Sequence, residues 1–278
     1  MSVQSSNEAL VLRSDDGGIA TLTLNRPDHY NTLSTPLMQD LKSHLTALKD
    51  DTSIRVVVVT GAGKAFCAGH DLNEMHDDPS EPAMQKLFQL CTDNMMAMTR
   101  LPQPVIAKIN GVAAAAGCQL VAQCDLAIAV DTAKFGTSGI NVGLYCSTPS
   151  VPVTRNLGRK QAMELLMTGD MIPAAQAVDW GLINRAVSAD RLDAEVQEMA
   201  AKIASKSPEA VALGKDLFYR QIEEGMEAAY DRAGAAITCN MQSDATRAAI
   251  DSFLNKTPLA DWPDRKKPGR GLINDDEL

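Results

Sequence analysis

The sequence predicts an α/β fold built on a largely parallel sheet, followed by a helical C-terminal region. Three observations carry that expectation. Residues 54–60, with four consecutive valines, and residues 105–109 are continuous apolar runs of the kind that strands buried on both faces present. Each run leads into a stretch of very small residues and then a helix start: Phe66-Cys67-Ala68-Gly69-His70-Asp71 in one case, and Gly111 through Ala116-Gly117-Cys118-Gln119 in the other. From Thr154 onward the apolar spacing becomes mostly helical. A strand, turn and helix repeated in this way predicts parallel pairing with right-handed crossovers.

The elements follow in order. Residues 10–13 and 19–24 flank Asp15-Asp16-Gly17-Gly18 and read as a β-hairpin with a glycine turn, ended by Asn25-Arg26-Pro27. Thr35 and Pro36 open an amphipathic helix whose face is Leu37, Leu41, Leu45 and Leu48. The strand at 54–60 comes next, and 61–75 reads as a small-residue loop. Pro82 leads a helix to about residue 100, and Pro102 and Pro104 punctuate before the strand at 105–109. A helix at about 116–123 and a strand at 125–130 complete the alternation. Helices are expected at 160–166, 173–180, 190–206 and from Pro208 to about 225, with a last helical stretch from about 226 to 255. The expected division is an α/β core over residues 1–205 and a helical oligomerisation region over 206–278, whose alanine-rich faces suit close packing between subunits.

Composition narrows the function. The 278-residue chain is 45% hydrophobic and 22% charged, ordinary for a soluble globular protein, and its net charge of −9 argues against nucleic acid as a partner. The six cysteines show no CxxC pair, and His29, His44, His70 and His76 form no zinc pattern, so no metal site is expected. No run reaches the roughly 18 apolar residues of a membrane span. The first twelve residues lack the basic and apolar regions of a secretory signal, so the expected location is cytoplasmic.

Small residues at a helix start let backbone N–H groups approach a ligand, and one such donor from each turn suffices to hold a developing oxyanion. Gln119, at the end of the second stretch, is an amide that cannot move a proton as a carboxylate would. The residues thus describe a site for polarising a carbonyl with no evident acid or base beside it.

In combination, several motifs make the chain resemble the enoyl-CoA hydratase/isomerase (crotonase) superfamily. They are Leu24-Asn25-Arg26-Pro27 with Asn31-Thr32-Leu33, Lys64 through Leu72, Ile109-Asn110-Gly111, Gly117-Cys118-Gln119-Leu120, Cys124-Asp125, Phe135-Gly136, Leu166 through Asp170, and Phe253-Leu254-Asn255-Lys256. The resemblance implies a ClpP-like spiral of ββα units with a small perpendicular sheet, assembling through its C-terminal helices as a homotrimer or a hexamer of two trimers. It implies an acyl-CoA thioester as ligand, with coenzyme A as part of the substrate and no separate cofactor. The thioester oxygen would sit between the backbone N–H groups of His70 and Ala116. Asp28, His29 and Tyr30 would lie near the nucleotide. His70, Asp71, Leu72 and Asn73 would lie along the pantetheine arm, and Ala68, Ala116 and Asn141 would also bind the substrate.

The family's hydratases add water with two glutamates, whose positions fall here on Gln119 and Gly139. Losing both is expected to leave hydration weak, since such groups contribute about 10²–10⁴-fold each. Within the family the chain is most similar to a hydratase-domain type that lacks this pair and carries Asn141 through Pro149 in the form found here. The stretch also looks like the family's methylmalonyl-CoA decarboxylase, which keeps a tyrosine where Tyr145 stands. Three functions are therefore open: a hydratase-like lyase stabilising an enolate, a decarboxylase of a malonyl-type thioester, or a non-catalytic acyl-CoA-binding protein. Smaller readings accompany them: the His70 ring is incidental to its backbone amide, Asp71 caps a helix turn, Glu74 is solvated, and Cys146 has no histidine partner to make it a nucleophile.

Overall fold

The structure, a computed structural model, describes residues 9–265. Strands β1 (Val11–Asp16) and β2 (Ile19–Leu24) form the hairpin, paired from Val11 with Leu24 to Asp16 with Ile19. Gly17 and Gly18 both have positive φ, 55° and 79°, as a two-residue turn with the twist of its strands requires. Helix α1 (Thr35–Asp50) begins at Ser34, whose hydroxyl accepts the Leu37 N–H, and it buries the four predicted leucines together with Met38.

Three repeats follow, each a long strand, a short strand and helix. The first is β3 (Val56–Gly61), β4 (Ala65–Cys67), α2 (Leu72–Asp77) and α3 (Glu81–Arg100). The second is β5 (Val105–Ile109), β6 (Val112–Ala114) and α4 (Ala116–Gln123). The third is β7 (Leu126–Val130), β8 (Lys134–Gly136), a 3-10 turn at Ser138–Val142, α5 (Ser147–Asn156) and α6 (Arg159–Thr168). The chain then runs through β9 (Ile172–Pro173), α7 (Ala174–Trp180), β10 (Arg185–Val187), α8 (Leu192–Ala204), α9 (Pro208–Gln221), α10 (Met226–Met241) and α11 (Asp244–Asn255).

Long strands make a six-stranded sheet in the order β1-β2-β3-β5-β7-β10, parallel except at the hairpin. Short strands make a four-stranded sheet, β4-β6-β8-β9, in which β4, β6 and β8 run parallel. The two sheets and the helices on them are the α/β architecture of ββα units that the motifs imply. The main core lies between the large sheet and helices α1, α3, α4 and α8, with β3 buried along its whole length.

Three local expectations are corrected. The stretch at 61–75 holds β4 and α2 rather than a loop. Helix α5 lies where no helix was expected; Pro149 stands in its first turn, where no N–H is needed, and Pro152 forfeits one interior bond. The stretch at 226–255 breaks at Gln242–Ser243 into two helices.

Helix α9 is anchored to the core by a buried ion pair. Lys215 Nζ donates to Asp125 Oδ2 at 2.6 Å and to the carbonyls of Met98 and Gln103, while the Tyr219 hydroxyl donates to Asp125 Oδ1 at 2.7 Å. Helices α10 and α11 bury no side chain. Beyond them the chain returns to the core, where Arg55 donates to the Trp262 carbonyl and Arg265 to that of Lys49. The end of the expected C-terminal region, 266–278, lies outside the described residues.

Candidate active site

The first small-residue turn follows β4. Gly69 has φ 102°, and the Leu33 N–H donates to its carbonyl at 2.7 Å, while the Asp71 N–H donates to the Leu33 carbonyl at 3.4 Å. That parallel bridge uses the backbone groups of residues 69 and 71, so the intervening N–H of His70 faces the other way. Asp71 caps α2 by accepting the Asn73 N–H at 3.1 Å and pairs with Arg26 at 3.0 Å. Burial opposes the Asp71 charge, but Arg26 and the N–H groups of Asn73 and Glu74 outweigh it and hold the carboxyl below its ordinary range.

The second turn links β6 to α4. Ala115 has φ 48° and ψ −116°, a strained conformation for a residue with a side chain, worth roughly 1–3 kcal/mol. Its N–H donates to the Gly136 carbonyl at 2.8 Å. The strain turns the chain into α4 with Ala116 as first helical residue, so the Ala116 N–H has no acceptor inside the helix. The two turns abut. A Cβ on Gly117 would overlap the Cys67 carbonyl, and one on Gly69 would lie 2.9 Å from Ala115 Cβ and 3.3 Å from Ala116 N. The two turns thus lie against each other, with Gly69 beside Ala115 and the Ala116 nitrogen.

Gln119 lies one helical step beyond Ala116 and is buried. The Cys91 thiol of α3 donates to Gln119 Oε1 at 3.9 Å. Burial pushes the Cys67, Cys91 and Cys118 thiols up to about 12, so they stay protonated. Burial also raises Cys146.

At the other glutamate position the surroundings have closed. Gly139 lies in the 3-10 turn, its carbonyl accepting the Leu144 N–H at 3.0 Å. A Cβ here would meet the Leu144 carbonyl oxygen at 2.6 Å and Cys146 Sγ at 2.9 Å, so no side chain fits without moving the loop. The Asn141 amide donates to the Gly169 carbonyl at 3.2 Å, and Tyr145 is 42% exposed.

The remaining predicted residues surround the first turn. Asp28 and His29 stand on an exposed 3-10 turn, with exposed Tyr30 in a left-handed conformation after it. The Tyr30 carbonyl accepts the Ala68 N–H at 3.0 Å, tying that turn to the site. Leu72 and Asn73 are exposed at the start of α2. Glu74 is not solvated as expected, since it accepts the Thr35 N–H at 2.8 Å and caps α1. Sequence reasoning assigned no role to Asn31, which is buried and donates to the carbonyls of Ala62 and Ala65 while accepting the Arg26 N–H.

The His70 ring packs perpendicular to Phe88, centroids 5.3 Å apart, and its Nε2 is buried with no hydrogen-bond partner among the described residues. Burial pushes the ring down to about 4, with the nearby Glu74 charge opposing. The ring is therefore neutral at neutral pH.

The fold and motifs place the chain in a known class: it belongs to the enoyl-CoA hydratase/isomerase family, whose profile matches residues 14–265. Among solved structures, it is 50% identical to an enoyl-CoA hydratase of Mycobacterium smegmatis, with a TM-score of 0.90 over 91% of this chain and 99% of that one. It is 37% identical to human enoyl-CoA hydratase domain-containing protein 3, with a TM-score of 0.88 over 90% and 99%. Among curated relatives, the zebrafish (Danio rerio) protein named "Enoyl-CoA hydratase domain-containing protein 3, mitochondrial" is 38% identical over 92% of this chain and 89% of its own. That name, shared by the mouse and human relatives, overturns the cytoplasmic expectation.

Proposed function

We propose that this chain binds an acyl-CoA thioester with its carbonyl oxygen between the N–H groups of His70 and Ala116, and stabilises the enolate that forms there. The observation that supports this reading is the abutment of the two turns, where a Cβ on Gly69 would lie 3.3 Å from the Ala116 nitrogen and the His70 N–H turns away from the bridge to Leu33. Fixed donors cost no reorganisation as charge develops, and each is worth about 3–4 kcal/mol to an oxyanion. In this reading Asp28, His29 and Tyr30 meet the nucleotide and residues 70–73 the pantetheine arm, with Ala68 and Asn141 also touching the substrate.

Ordinary hydration is weak in this reading. Gln119 moves no proton, and at Gly139 the space for a carboxylate is taken by the Leu144 carbonyl and Cys146. The same observation favours a second reading, decarboxylation of a malonyl-type thioester, which needs an oxyanion hole and no base. Calorimetric titration with CoA thioesters, beside a crotonyl-CoA hydration assay and a product screen with methylmalonyl-CoA, tests both. Binding with hydration at least a hundredfold below an ordinary hydratase is expected. Hydration within tenfold of one overturns the reading of Gln119 and Gly139, and binding without any product leaves the chain a non-catalytic binder.

A further inference from the structure

Building on the acyl-CoA reading, we infer that the His70 imidazole also meets the ligand, as the hydrogen-bonding group for an uncharged oxygen, hydroxyl or keto, carried on the acyl chain. Nε2 of this ring is buried and has no partner among the described residues. A buried polar atom left in that state costs about 1–3 kcal/mol, so the position suits an atom that a ligand satisfies. The ring belongs to the residue whose N–H is proposed to hold the thioester oxygen. The side chain therefore branches from the Cα next to that N–H.

Helix α3 sets what stands beside the ring. Phe88 and Cys91 are one helical step apart on it. Phe88 packs on the His70 ring, and the Cys91 thiol holds the Gln119 carboxamide. One helix face thus braces two neutral polar groups next to the proposed oxyanion donors.

Charge decides which oxygen they suit. The carboxylate felt by the ring is Glu74, pinned in place by the Thr35 N–H. Arg26, the cation of this turn, is engaged by Asp71. A carboxylate on the acyl chain would meet a like charge there and a neutral ring; a hydroxyl or keto oxygen meets a hydrogen-bonding partner without that repulsion.

The test is calorimetric titration of the full-length protein and of His70→Phe, which keeps the backbone N–H, with butyryl-CoA, 3-hydroxybutyryl-CoA and malonyl-CoA. The wild type is expected to hold 3-hydroxybutyryl-CoA roughly tenfold more tightly than butyryl-CoA, with malonyl-CoA weaker than the hydroxy thioester. In His70→Phe the ratio of the first two is expected to fall to about one. Equal binding by the wild type, a ratio that survives His70→Phe, or tightest binding of malonyl-CoA overturns the role of the ring while the acyl-CoA reading stands. Failure of every thioester to bind overturns both. Ring-nitrogen NMR of the wild type gives a second readout should the variant not fold, since the chain has only four histidines. The His70 nitrogens are expected to shift with 3-hydroxybutyryl-CoA and not with butyryl-CoA, and identical responses overturn the role.

Discussion

The two roles proposed for His70 fit one residue because its backbone and its ring answer to different constraints. The bridge to Leu33 fixes which way the N–H points, whereas burial against Phe88 keeps the ring uncharged. The second constraint has a consequence for stability. An ordinary histidine ring takes up a proton near pH 6.5, and the folded His70 refuses it until about pH 4. Across that window the unfolded chain binds the proton and the folded one does not, so stability is lost as pH falls from 6.5 to 4, by roughly 3 kcal/mol in all. Urea unfolding of wild type and His70→Phe at pH 7 and pH 4.5 checks this. The variant is expected to lose less stability than the wild type between the two, and equal losses would remove His70 as the cause. Gly139 shows a different logic. The residue differs from a glutamate by more than a missing carboxylate, because the Leu144 carbonyl and the Cys146 thiol stand where the side chain would start.

At the scale of elements, the site depends on how β4 and the first turn of α4 approach each other. Gly117 permits the contact, so Gly117→Ala pushes the Cys67 carbonyl away and moves the Ala116 N–H with it. A loss of at least tenfold in thioester affinity is expected in calorimetry, while circular dichroism retains the helix and sheet content; undiminished affinity would show that the approach does not matter. The same short elements mark the limit of sequence reading. Strand β3 is legible because branched residues fill it, and α1 because its leucines repeat with the helical period. Strands β4 (Ala-Phe-Cys), β6 (Val-Ala-Ala) and β8 (Lys-Phe-Gly) are three residues each. Segments that short show no alternating pattern, and pairing with neighbours makes them strands. The small-residue turns, His70, Ala116 and Gln119 could be picked out from sequence. The roles of Asn31 and of Glu74 as a cap on α1 could not, since both rest on partners more than thirty residues away.

Across the whole molecule, the apolar surface is concentrated in the C-terminal helices. Met226, Tyr230, Ile237, Phe253 and Leu254 on α10 and α11 are each at least 66% exposed. Patches of that kind mark association surfaces, and we expect the chain to assemble with copies of itself through them. Sedimentation is expected to give the mass of three or six chains of 29.8 kDa, and a monomer at micromolar concentration would overturn this. These helices are not a free arm. Lys215 fastens the chain before them and the contacts of Trp262 and Arg265 fasten it after them, so the excursion is a loop closed at both ends. Closing a loop removes chain entropy once, during folding of the single chain. A neighbouring copy therefore meets a surface that is already ordered, and association is spared most of the entropy loss that a dangling helix pair would impose on it.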